Sequence, residues 1–122
     1  MDRNQNVILD LNGRTVGLRF DNWAFKETQL KTGSTGVINL LNRIGVDDSN
    51  IDLNALIIFG VEAYHSYQYN QKLTGVITDR EMSIIIDECG GPLDFLIKIS
   101  EGLRTYVPKN SYPPQMVGEI SQ

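Results

Sequence analysis

The dipeptide Asn12-Gly13 constrains this chain more than any other feature, because it separates two short apolar runs, Val7 to Leu11 and Arg14 to Phe20. Both residues tolerate positive φ, as a two-residue type I′ turn requires. That turn sets the register, with Leu9 opposite Val16 and Val7 opposite Leu18. The period of two then gathers Val7, Leu9, Leu11, Val16, Leu18 and Phe20 on one face. Ile8 is left on the other face, opposite Gly17.

From Asp21 onward the spacing is helical. Asp21 or Asn22 caps a helix from about Trp23 to Lys31, closed by Gly33, whose apolar content is Trp23, Ala24, Phe25 and Leu30. Ser34 or Thr35 starts a second helix with Val37, Leu40, Leu41 and Ile44 at helical spacing and Gly45 as its stop. Asp47 to Asn50 reads as a loop. Asn50 or Asp52 opens a third helix running to about Tyr69. Its stripe is Leu53, Leu56, Ile57, Gly60, Val61 and Tyr64, and Ile58 and Phe59 fall outside it. A helix apolar around most of its girth is either central to a core or shows a surface to a partner.

Thr78 with Glu81 has the spacing of a capping box, followed by Met82, Ile85, Ile86 and Cys89 on one face and Ile84 off it. Gly90 and Gly91 end that fourth helix, and Pro92 suits the first position of a fifth. The fifth carries Leu93, Leu96, Ile97 and Leu103, with Phe95 and Ile99 widening the stripe. The fold class predicted is α+β: an N-terminal β-hairpin followed by about five α-helices packed in one domain over residues 1–106. Residues 107–122, with Pro108 and Pro113-Pro114, have no period and are expected to form a flexible tail.

A chain of 122 residues suits one domain, and hiding roughly two thirds of its unfolded surface leaves no need for a metal or disulfide staple. The formal charge is −4, with the Lys and Arg residues spread thinly, whereas a nucleic-acid binder gathers positive charge. No apolar run approaches the roughly 20 residues needed to cross a bilayer, and the polar start is no signal peptide. A single cysteine, Cys89, makes neither an internal disulfide nor a Cys-rich zinc site. A soluble cytoplasmic protein without nucleic-acid or membrane partners is the expectation.

Catalytic chemistry finds no residue set. His65, the only histidine, follows Glu62 by three positions, but dinuclear carboxylate sites need two such pairs and further glutamates. A partly exposed helix pair accounts for the two residues. Asp79 and Glu81 suit the first turn of a helix, and Asp87 and Glu88 point about 100° apart. Gly33-Ser34-Thr35-Gly36 lacks both the Lys-Ser/Thr ending and the preceding strand of a phosphate loop. Cys89 falls in line with core residues. No enzyme activity, cofactor or metal is expected.

Recognition of another protein remains. Ile8, Ile58, Phe59 and Ile84 are apolar positions that the stripes leave uncovered. Tyr64, Tyr67 and Tyr69 crowd the end of the third helix, and tyrosine favours interfaces because it is half apolar and half hydrogen-bonding. These seven are the candidate partner-binding residues.

The order of elements resembles a known family. Gly-Arg-Thr-Val-Gly-Leu-Arg-Phe (Gly13 to Phe20) runs into Asp-Asn-Trp-Ala-Phe-Lys-Glu (Asp21 to Glu27). Later come Leu-Ile-Ile-Phe-Gly-Val-Glu-Ala-Tyr (Leu56 to Tyr64) and Thr-Asp-Arg-Glu-Met-Ser-Ile-Ile-Ile-Asp-Glu (Thr78 to Glu88). Together these look like the tail assembly chaperones of long-tailed bacteriophages and prophage elements, over roughly Val7 to Tyr106. The resemblance is one of pattern and order; the Asp47–Asn50 loop and the proline-containing tail have no counterpart in it.

What the resemblance implies is a mainly helical α+β protein of the infected cell's cytoplasm. Such proteins bind the long tape measure protein, keep it soluble and help recruit tail tube subunits around it. They are absent from the finished virion, and many are also made as a longer product by ribosomal frameshifting. Self-association into a homo-oligomer is a further expectation. The family brings no catalytic residues, and its partner surface does not transfer by position. The alternative weighed against it is a structural tail or connector protein retained in the virion.

Overall fold

The computed structural model describes residues 5–46 and 50–106. Most of the Asp47–Asn50 loop and the whole segment expected to be a tail lie outside the described residues.

Strands β1 (Asn6–Leu11) and β2 (Arg14–Arg19) form the hairpin in the expected register, Leu9 with Val16, Val7 with Leu18 and Ile8 with Gly17. Asn12 and Gly13 have φ of 49° and 87°, the left-handed pair that a type I′ turn needs. Val7, Leu9, Leu11, Val16, Leu18 and Phe20 are all buried, so one hairpin face belongs to the core.

Helix α1 (Asn22–Thr32) starts where Asp21 accepts the Ala24 amide at 3.0 Å and stops at Gly33, in the left-handed conformation with φ 72°. It buries Ala24, Phe25 and Thr28, whereas Trp23 and Leu30 stay exposed. Lys26 sets its ammonium 4.2 Å from the centre of the Trp23 ring. Helix α2 (Val37–Arg43) has Gly36 at its cap with no side-chain bond there, which corrects the expectation of Ser34 or Thr35. Asn39 Oδ1 accepts the Thr35 amide instead.

Helix α3 (Leu53–Asn70) begins at Asp52, whose Oδ1 accepts the Ala55 amide at 3.1 Å. The carboxylate also takes Arg43 Nη2 at 2.8 Å, and both bonds hold its pKa below the ordinary value, the Ala55 amide most. Arg43 Nη1 reaches Thr32 O and Ser34 Oγ, so one guanidinium joins the ends of α1, α2 and α3. Helix α3 packs against α1, β2 and α4, and it buries side chains around most of its circumference.

Phe59 was expected on a partner surface and is instead fully buried. Its ring lies 5.0 Å from both Phe20 and Phe25, between the end of the hairpin and α1. The stripe reading failed because α3 has neighbours on three sides, so it has no single inner face. Leu53, placed on that stripe, is half exposed at the first turn.

Helix α4 (Asp79–Glu88) carries the capping box in full: Thr78 Oγ1 accepts the Glu81 amide, and Glu81 Oε1 accepts the Thr78 amide. Met82, Ile85, Ile86 and Cys89 are buried and Ile84 is not, as their spacing requires. Pro92 then opens helix α5 (Pro92–Ile99), which runs into a 3-10 turn over Ser100–Leu103. Phe95, Leu96, Ile99 and Leu103 face inward, while Leu93 and Ile97 are exposed, reversing their expected place on the stripe. Apolar residues at 93, 95, 96, 97 and 99 fit two helical phases, and packing selects the one containing Phe95 and Ile99.

Tyr106 closes the described chain onto its beginning. Its ring lies 4.1 Å from that of Phe25, and its hydroxyl donates to Asn22 Oδ1 and accepts from Gln5 Nε2. The described residues form one small α+β domain of a two-stranded hairpin and five helices.

Candidate functional site

Helices α3 and α4 are joined by Gln71–Thr78, and local bonds set the path of that connection. Gln68 Oε1 accepts the Gly75 amide at 2.9 Å and His65 Nε2 accepts the Ile77 amide at 3.2 Å. The connection therefore lies along the last turns of α3, with Val76 81% exposed and Ile77 half-buried. At the hairpin tip, Arg14 donates to Glu88 at 2.5 Å and so reaches across to the end of α4.

These ties outline an open groove. Arg14, Thr15 and Val16 of the hairpin, Tyr64 of α3, Val76 and Ile77 of the connection, and Glu81, Ile84 and Ile85 of α4 line it. Ile84, 48% exposed, also borders a second depression with Ile57, Asp79, Arg80, Ser83 and Asp87. It thus stands as an apolar ridge between two hollows, with charged side chains around it.

Of the seven sequence candidates, the groove brings together Tyr64 and Ile84. Tyr67 is half-buried and faces elsewhere: its ring occupies the space beside Gly17, where an added Cβ would sit 2.3 Å from it. Tyr69 is 88% exposed at the end of α3 and Ile58 is half-buried; neither lines the groove. Ile8, 54% exposed, lies on the hairpin's outer face. Phe59 is core.

Sequence reasoning passed over Val76 and Ile77, although two adjacent β-branched aliphatic residues in the connection 71–78 were a visible signal. Arg14 and Thr15 were read only as hairpin residues. Their part in the groove follows from the distance between the hairpin tip and α4, which no local pattern encodes.

The Glu62–His65 pair also differs from expectation. Glu62 is buried, not partly exposed, and its Oε2 takes Lys31 Nζ at 2.5 Å, a bond that raises the Lys31 pKa. His65 uses Nε2 on the Ile77 amide. Each side chain is committed to a different element. Burial pushes the Cys89 thiol up, away from the thiolate that nucleophilic chemistry requires. Among the described residues no three His, Cys, Asp or Glu side chains gather in a metal-holding arrangement, and no helix is long and apolar enough to cross a membrane.

What the groove offers is shape and apolar surface: a tyrosine side chain, two exposed aliphatic side chains, Val76 and Ile84, and the charged residues Arg14 and Glu81 in its lining. That combination suits an apolar side chain presented by another polypeptide. No protein-family model, no curated protein and no solved structure matches the chain.

Proposed function

We propose that this chain is a tail assembly chaperone of a long-tailed bacteriophage or prophage. It binds the tape measure protein in the host cytoplasm, keeps it soluble and helps recruit tail tube subunits, and it is absent from the mature virion. The observation that carries the reading is the groove in which Tyr64, Val76 and Ile84 converge. The order of hairpin and helices, which resembles that family, names the partner.

The physical case is one of complementary surfaces. A tape measure chain is a long helix with apolar stripes that aggregates when unaccompanied. A helix laid into an apolar groove buries anchors at i, i+3 or i+4 and i+7. Two hollows that share Ile84 are suited to receive successive anchors of such a helix, and Tyr64 adds an aromatic side chain to the lining of one of them.

Co-expression with the tape measure protein encoded in the same phage or prophage tests this directly. The wild-type chain is expected to hold that protein in the soluble fraction, and I84K to lose most of the effect while folding normally. If the tape measure protein precipitates equally with and without the wild-type chain, the reading fails. Detection of the chain in purified particles by mass spectrometry favours a retained structural component instead.

A further inference from the structure

His65, the only histidine of the chain, makes a bond that fixes where its proton sits. Its Nε2 lies 3.2 Å from the Ile77 amide nitrogen. A backbone amide can only donate, so that ring nitrogen is bare and the neutral ring carries its proton on Nδ1. The ring is half-buried, with the Tyr64 ring edge-on to it at 5.9 Å between centroids.

The bond sits where the shape of the groove is decided. Gly75 is tied to Gln68 on one side, and Thr78 is tied to Glu81 of α4 on the other. Between those anchors lie Val76 and Ile77, both in the groove lining. Among the described residues, the His65 bond is the hydrogen bond that holds this pair to α3. The Ile77 side chain packs against the core from outside, while Val76 is 81% exposed.

Charges surround the bond unevenly. Glu62 stands one turn before His65 on α3 and holds Lys31 of α1. The Lys31 pKa is raised, most by that bond and also by Glu27 of α1 and Asp79 of α4, so Asp79 belongs to the same cluster. Asp79 follows Ile77 by only two positions, with Arg80 beside it, and Lys72 opens the connection. Arg14 and Arg19 of β2 and Arg43 of α2 are engaged by Glu88, Asp21 and Asp52. An imidazolium here would be repelled by Lys31 and drawn to Glu62 and Asp79.

We propose that His65 is a pH-operated latch: neutral, it fastens Val76 and Ile77 to α3 and so shapes the groove, and protonated, it lets them go. Protonation puts a hydrogen on Nε2, so two donors face each other and either the ring or the connection must move. The carboxylates of Glu62 and Asp79 give the charged ring somewhere else to turn. Histidine is the side chain that ordinarily changes charge between about pH 5 and pH 8, so the latch works in a range that cells and vesicles reach. The device belongs to the free chain and holds whichever guest the groove receives.

Nitrogen-15 NMR of the full chain reads the latch without any guest, so its failure is separate from failure of the tape measure reading. With one histidine in the chain, the ring nitrogens are assigned without ambiguity. At about pH 8 the ring should show the Nδ1–H tautomer, and on acidification to about pH 5 it should become charged. The Ile77 amide shift should follow the ring with the same midpoint. Its protection from water exchange, taken relative to the intrinsic rate at each pH, should fall about tenfold, the worth of one hydrogen bond. The Gly75 amide and the α3 amides near Phe59 should keep their protection. Glutamine can accept the Ile77 amide but does not titrate, so H65Q should give a flat Ile77 profile across the same range. An Nε2–H tautomer at pH 8, a ring still neutral at pH 5, or an Ile77 amide that ignores the ring overturns the proposal. So does an Ile77 amide that loosens equally in H65Q, which would assign the change to Glu62 or Asp79, or a loss of protection shared by the amides near Phe59.

Discussion

Asp52 does two jobs with one carboxylate. Oδ1 caps α3 through the Ala55 amide, and Oδ2 holds the Arg43 guanidinium that also bonds Thr32 O and Ser34 Oγ. The two roles separate under mutation, because asparagine caps a helix about as well as aspartate but carries no charge. D52N should lower stability at pH 7 by less than about 1 kcal/mol, since the pair is partly exposed to water. D52A loses the cap as well, for a total of about 1–2 kcal/mol. The folded-state pKa of Asp52 lies below its ordinary value, so the unfolded chain binds the proton first. The stability from the charge is complete above about pH 4 and is lost as pH falls through the folded-state pKa. Urea melts of wild type and D52N should therefore converge below about pH 4; a gap of constant size from pH 7 to pH 3 would sink this account.

The hairpin and α3 meet where Gly17 leaves room for the Tyr67 ring. An alanine there keeps the backbone conformation accessible, so its effect isolates the lost space. Its Cβ would fall 2.3 Å from the ring, and either Tyr67 or the strand must move. G17A should cost about 1–3 kcal/mol, the usual range for overpacking. G17A/Y67A should recover part of that loss, and equal stability of G17A and wild type in thermal melts would refute the steric reading.

At this same level the sequence was most and least informative. Asn12-Gly13, Gly33, Thr78 with Glu81, and Pro92 are local signals, each acting within a turn or two of itself, and each ended up where its chemistry requires. Ile84 was legible as an off-stripe residue of α4 for the same reason. Phe59, Leu93 and Ile97 were misplaced because their burial depends on which elements arrive from far along the chain. A helix touched on three sides, or one whose apolar residues fit two phases, has no single stripe to read. Of the groove's helical members only Tyr64 and Ile84 were legible as surface residues; the hairpin tip and Val76 join it through tertiary approach.

On the scale of the whole molecule, Phe59 connects the parts. Its ring touches Phe20 from the end of the hairpin and Phe25 from α1, while α3 also packs against α4. F59A should cost about 3–5 kcal/mol, a large share of the roughly 5–15 kcal/mol that holds a domain of this kind together. Calorimetry should show one lowered transition; two separated transitions would mean that hairpin and helices unfold independently.

The burial of α3 on three sides also dictates how this molecule breathes. Amides near Phe59 can reach water only if hairpin, α1 and α4 part together, so their hydrogen exchange should report opening of the entire domain. The Gln71–Thr78 connection, held to α3 by the Gly75 and Ile77 amides, has no such safeguard. Any adaptation to a guest therefore falls to that short border, while the helix beneath it behaves as a fixed anvil.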